Sequence, residues 1–125
     1  MGLEAKSLRI GNLVTDEFMQ NCSFHVTSIG KTYCTYKGIQ EFKSTFNKLK
    51  PIPLTEEWLI KAGFDKYGTE LKLTLIGMLS FIYDERKIII LDTGLNSEGL
   101  YHIKFVHQLQ NLFFDLSGEE LTFKL

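Results

Sequence analysis

A chain of 125 residues is one domain's worth of sequence, and ten Phe, five Tyr and one Trp within a 44% hydrophobic composition can build a core without metal or disulfides. Charged residues at 23% exclude disordered, collagen-like and low-complexity classes. The formal net charge of −1 supplies no bulk basic field, which argues against nucleic acid as a partner.

In chain order, residues 8–14 place Leu8, Ile10, Leu13 and Val14 around a Gly-Asn break and read as a short strand or turn. Residues 22–29 and 32–37 are rich in β-formers, and Gly30-Lys31 between them predicts a two-residue hairpin turn. In that register Cys34 faces Thr27. Phe24, Val26 and Thr35 then share one face, and His25, Thr27, Cys34 and Tyr36 share the other. Residues 39–50 fit a helix, a loop or an edge strand. Pro51 and Pro53 end whatever precedes them.

The short helix 55–62 is the best-marked element. Thr55 is the N-cap, Glu56 and Glu57 sit in the first turn, and Gly63 is the expected residue past its end. Residues 69–76 alternate as a strand, with Leu71, Leu73 and Leu75 on one side and a turn or bulge at Gly77. Two more strands, 78–83 and 87–92, flank the charged turn Asp84-Glu85-Arg86. A short strand at 99–103 follows an Asn96–Gly99 turn. Phe105, Leu109, Leu112, Phe113 and Leu116 recur at helical spacing, and Val106 and Phe114 widen the arc, so 104–116 is expected as a buried helix closed by Gly118. A terminal strand is expected at Leu121–Phe123.

These elements predict an α+β fold of antiparallel β hairpin and meander sheets with two helices. Residues 1–125 form a single domain, divisible at the prolines into a β unit (1–50) and a helix, β-meander and helix unit (51–125). An SH3-like barrel is one form open to the N-terminal unit. No apolar run approaches the roughly 20 residues of a membrane span, and the N-terminus shows no signal-peptide core. Cys22 and Cys34 are read as reduced, and a cytoplasmic location is expected.

Motifs for chemistry are sparse. The three His lack zinc-ligand spacing, so no metal or other cofactor is expected. Cys34 with His25 is the only nucleophile–base pair the register brings together, and a hairpin cysteine is more often a small packing residue. Glu56-Glu57 and Glu119-Glu120 diverge too far to act as carboxylate dyads. Two sets remain as binding candidates. Tyr33, Tyr36 and Phe42, with Lys43, Lys48 and Lys50, could stack a base and meet phosphate. His107, Gln108 and Asn111 share a helix face and could bind a protein partner, or could satisfy a neighbouring strand.

Three segments resemble a family of small uncharacterised proteins of Bacteroides-type bacteria, their prophages and their mobile elements. They are Leu8-Arg9-Ile10-Gly11-Asn12-Leu13-Val14, Lys50-Pro51-Ile52-Pro53-Leu54-Thr55-Glu56-Glu57-Trp58-Leu59, and the stretch from Tyr101 to Leu121. The resemblance implies phage-like or mobile-element cargo and no assigned enzyme activity. The sequence therefore favours a non-enzymatic interaction protein that acts on a host or defence protein, with a homo-oligomer also open to so aromatic a chain. The alternative is a small-ligand or nucleotide-sequestering protein.

Overall fold

Two five-stranded antiparallel sheets and two α-helices account for most of the chain, which is the α+β arrangement expected. The computed structural model describes residues 5–19, 22–74, 80–92 and 97–124. By contacts the chain divides into two units: Met1–Pro53 with Phe105–Leu112, and Leu54–Lys104 with Phe113–Leu125.

The first unit holds β1 (Leu13–Asp16), β2 (Phe24–Ile29), β3 (Tyr33–Lys37), β4 (Glu41–Thr45) and β5 (Leu49–Lys50), in the order β4-β3-β2-β1-β5. A 3-10 turn, Phe46–Lys48, separates β4 from β5, so the ambiguous 39–50 stretch resolves into strand, turn and strand. Leu8, Val14, Phe24, Val26, Cys34, Tyr36 and Leu49 form its core, with Phe42 and Phe46 packed against them. Edge-on contacts of Phe24 with Tyr36 and Phe42, at 5.3 and 5.7 Å between centroids, fix the aromatic part.

The β2–β3 register differs from expectation. Gly30 N–H donates to the Tyr33 carbonyl, so the turn is longer than Gly30-Lys31, and Ile29 faces Cys34. A register shift between Val26 and Ser28 then sets Val26 against Tyr36. Cys34 and Tyr36 consequently join Phe24 and Val26 on the buried face, while Thr35 and His25 face the other way.

All four residues of β1 are buried. Val14 belongs to the sheet core, and the opposite face meets the start of α2 (Val106–Ser117), where the Leu13 N–H donates to Gln110 Oε1 at 2.8 Å. The expected helix 104–116 begins two residues later. Its start is capped from within: Gln108 Oε1 accepts the Phe105 N–H at 3.2 Å, the reach-back half of a capping box. The arc is narrower than expected, because Phe114 and Leu116 are exposed.

The second unit contains α1 (Glu56–Lys61) and the meander β6 (Asp65–Tyr67), β7 (Glu70–Thr74), β8 (Ser80–Tyr83), β9 (Ile89–Asp92) and β10 (Ser97–Tyr101), ordered β10-β9-β8-β7-β6. Thr55 Oγ1 accepts the Trp58 N–H, as its sequence position predicts. At the other end Phe64 N–H bonds Leu59 O and Gly63 N–H bonds Ile60 O, with Gly63 at φ 101°: a Schellman closure whose apolar pair is Leu59 and Phe64. The 84–88 turn is locked by Asp84, which accepts from the Arg86 amide and guanidinium. That pairing with Arg86 holds the Asp84 carboxyl below its ordinary pKa. Strand β6 was not anticipated. The expected strand Leu121–Phe123 is not one: Lys124 N–H bonds the Lys61 carbonyl and Phe123 packs edge-on against Trp58, with no ladder. Leu75, Gly77 and Asn96 lie outside the described residues.

Because Gly63 sits in the left-handed region, Gly63→Ala should destabilise the protein by about 1–2 kcal/mol, read as a lower urea midpoint with an unchanged slope.

Candidate functional site

The most unusual surface of the first unit starts at a buried carboxylate. Asp16, the last residue of β1, is 5% exposed. Its Oδ1 accepts the amides of Phe18 and Met19 at 2.9 and 2.7 Å, and its Oδ2 accepts the Tyr36 hydroxyl at 3.2 Å. Thr15 Oγ1 donates to the Met19 carbonyl, and Glu17 N–H donates to the Lys48 carbonyl. A loop bonded at so many points has a defined conformation, and it holds two large apolar side chains outward. Phe18 is 77% exposed and Met19 42%.

A second turn meets this loop across a groove of about 390 Å³, lined by Met19, Cys22, Ser23, Phe24, Gly38, Ile39, Gln40 and Phe42. Gly38 lies so close to the Phe24 ring that a Cβ there would stand 3.1 Å from it, which draws the β3–β4 turn onto the aromatic core. The next residue, Ile39, is 99% exposed. Single exposed apolar residues are ordinary, but Met19 and Ile39 line one apolar groove and Phe18 precedes Met19 in the same exposed loop, which makes a patch.

The first unit as a whole is basic. The net −1 of the chain divides unequally: the first unit carries seven Lys and Arg against four Asp and Glu, the second seven against eleven. Among the described residues, Lys31, Lys37, Lys43, Lys48 and Lys50 enter no ion pair. Lys48 Nζ stands 5.9 Å from the Phe18 ring centroid, and Lys43 Nζ 4.0 Å from that of Tyr33.

The six residues proposed to hold a nucleotide do not share a surface. Tyr36 is buried against Phe24 and Phe42, and burial above all pushes its phenol pKa up. Tyr36 and Phe42 pair on the inner face of the sheet, whereas Tyr33 and Lys43 lie on the outer face. Lys48 ends the 3-10 turn, and Lys50 pairs with Thr15.

The helix stripe His107, Gln108 and Asn111 turns inward. Asn111 Oδ1 accepts from Arg9 Nε at 3.0 Å and from Asn12 Nδ2 at 2.8 Å, and its Nδ2 donates to the Ser7 carbonyl. Gln108 caps its own helix. His107 is 2% exposed and stacks on Phe105 at 6.0 Å. Its Nδ1 is buried and meets no hydrogen-bond partner among the described residues. Asn111 thus serves the segment before β1, while Gln108 serves its own helix and His107 packs on Phe105.

The Cys34–His25 pair is not assembled. Cys34 is fully buried and its thiol is pushed up by burial, while His25 is exposed on the other face. Among the described residues, no group of three His, Cys, Asp or Glu could hold a metal ion, and no helix is long and apolar enough to cross a membrane. Phe18, Met19 and Ile39 were missed from sequence. The available signal was a bulky apolar residue inside each of two turns, Asp16–Met19 and Gly38–Gln40.

The chain matches no protein family, no curated protein and no solved structure.

Asp16→Ala leaves two loop amides and a buried phenol without their acceptor, at a cost of about 1–3 kcal/mol. Hydrogen exchange at the Phe18 and Met19 amides should accelerate, and an unchanged rate there would show that the loop is held otherwise.

Burial holds the His107 imidazole below its ordinary pKa, so as pH falls the unfolded chain takes up that proton first. The stability contributed is whole above the ordinary value of about 6.5 and is lost as pH falls toward the lower folded value, at up to about 1.4 kcal/mol per pH unit. His107→Leu should flatten that part of the acid limb in urea titrations.

Proposed function

We propose that the chain is a non-enzymatic interaction protein, and that its first unit docks a partner protein of acidic surface at the groove beside Phe18, Met19 and Ile39. One observation carries the reading: a buried carboxylate is committed to holding an apolar loop in the open. Burying Asp16 is costly, and its bonds to Phe18 and Met19 do nothing to cover those side chains. Rigid presentation lowers the ordering cost of binding. Lysines of the first unit without ion pairs, Lys48 among them at 5.9 Å from the Phe18 ring centroid, favour an acidic partner and steer its approach.

The same proposal includes an SH3-like form for the first unit, supported by the order β4-β3-β2-β1-β5 with a 3-10 turn before β5. It also includes a cytoplasmic setting, in keeping with the free thiols of Cys22 and Cys34. The family resemblance supports phage or mobile-element cargo that acts on a host or defence protein. The nucleotide reading has less support, because its aromatic residues are divided between two faces of one sheet.

The test compares the tagged wild type with Phe18→Asp and Ile39→Asp in lysate of the cells that carry it, with circular dichroism to verify folding. A stoichiometric acidic partner should be retained by the wild type and lost from both variants. Retention that ignores the substitutions would refute the groove, and so would a wild-type dimer in light scattering that Ile39→Asp abolishes.

A further inference from the structure

The geometry points to the form of that partner: an extended segment, alternating acidic and apolar residues, added as a further strand along β4. The inference rests on the docking reading above and specifies what occupies it.

Strand β4 ends its sheet, and among the described residues it pairs with β3 alone. The pairing runs through five consecutive rungs, from Tyr33↔Thr45 to Lys37↔Glu41, without a register shift. The strand contains no proline. Of the devices that blunt an edge, β4 has no bulge, proline or inward charge, and its two charges, Glu41 and Lys43, stand on the outer face, so its outer row of N–H and C=O groups is a regular template. Strand addition is a recurrent mode of peptide recognition in which backbone bonds give affinity and alternate side chains give specificity.

The two faces of β4 dictate the alternation. On the inner face Phe42 is a wall of the groove and Ser44 is the other inward residue, so the residue of an added strand beside Phe42 falls on apolar surface. On the outer face the intervening residues of the strand meet Lys43 on β4 itself, with Lys37 one strand further in on the rung of Glu41, and neither lysine enters an ion pair among the described residues. Glu41 is the one acid on that face, and its Oε2 already accepts from Thr27 Oγ1 at 3.2 Å. Apolar residues inward and acidic residues outward therefore complement the site, with Ile39 and Met19 flanking the inward residue at the groove.

Panning a phage-displayed random peptide library on the immobilised full chain tests this. Enriched sequences should alternate apolar residues with Asp or Glu. A synthetic peptide of that consensus should slow amide exchange along β4, and should bind about tenfold more weakly to Lys43→Glu and about tenfold more weakly to Ile39→Asp. Both residues are exposed, so both variants should fold, which circular dichroism verifies. Binders that depend on Ile39 but show no acidic bias, or leave β4 exchange unchanged, would overturn the strand inference and spare the docking reading. Binders indifferent to Ile39→Asp, or no binders, would overturn both. Lys43-dependent binding of a fluorescein-labelled oligo-dT, with no peptide enriched, would replace the acidic segment with nucleic acid.

Discussion

The first unit depends on satisfying the backbone of a strand buried on both sides. Strand β1 sits between β2 and β5, with Val14 in the sheet core and Leu13 turned toward the start of α2. A backbone donor in that position has no water to fall back on. Gln110 answers it with both ends of one amide, its oxygen on the Leu13 N–H and its nitrogen on the Gly11 carbonyl. Asn111 does the same for Arg9, Asn12 and Ser7. Two adjacent amides thus fix how the N-terminal segment enters the sheet, and β1 ends at Asp16, from which the exposed loop is built.

This explains which parts of the fold were legible. The ends of helix α1 were readable to within one residue because local chemistry decides them: Thr55 caps it, and Gly63 supplies a conformation other residues enter at a cost. The meander β7–β9 was readable from apolar runs punctuated by a charged turn. The β2–β3 register was not, because the longer turn shifts the pairing by two residues and the bulge takes one back, and the net slip of one exchanges the faces. That slip made Cys34 a neighbour of His25 and made Tyr36 a candidate base-stacker. Strand β6 is exposed at all three positions and leaves no alternation to detect. At the C-terminus Leu121 and Phe123 are anchored by packing and one backbone bond, which a propensity argument reads as a strand.

The candidate site was harder to read, for a related reason. The amide stripe on α2 was visible as a shared face, but a stripe alone does not reveal whether it looks out or in. Its inward role follows from β1, about a hundred residues earlier in the chain, with Leu13 and Gln110 separated by 97 positions. The exposed patch combines Asp16–Met19 with Gly38–Gln40, and neither turn stands out until the sheet brings them to one groove. Whole-chain charge misled in the same way. A total of −1 hides a first unit at +3 and a second at −4, so the lysines of the first unit are a local excess rather than noise in a neutral protein.

The two cysteines, unremarkable as chemistry, differ in one useful respect. Cys34 is sealed in the aromatic core, while Cys22 is exposed and lines the groove. A thiol-specific reagent therefore has one accessible target in the folded chain, at the edge of the proposed docking surface. Its alkylation rate becomes a built-in gauge of occupancy, and Cys34, reactive only once the unit opens, separates shielding by a bound segment from loss of structure.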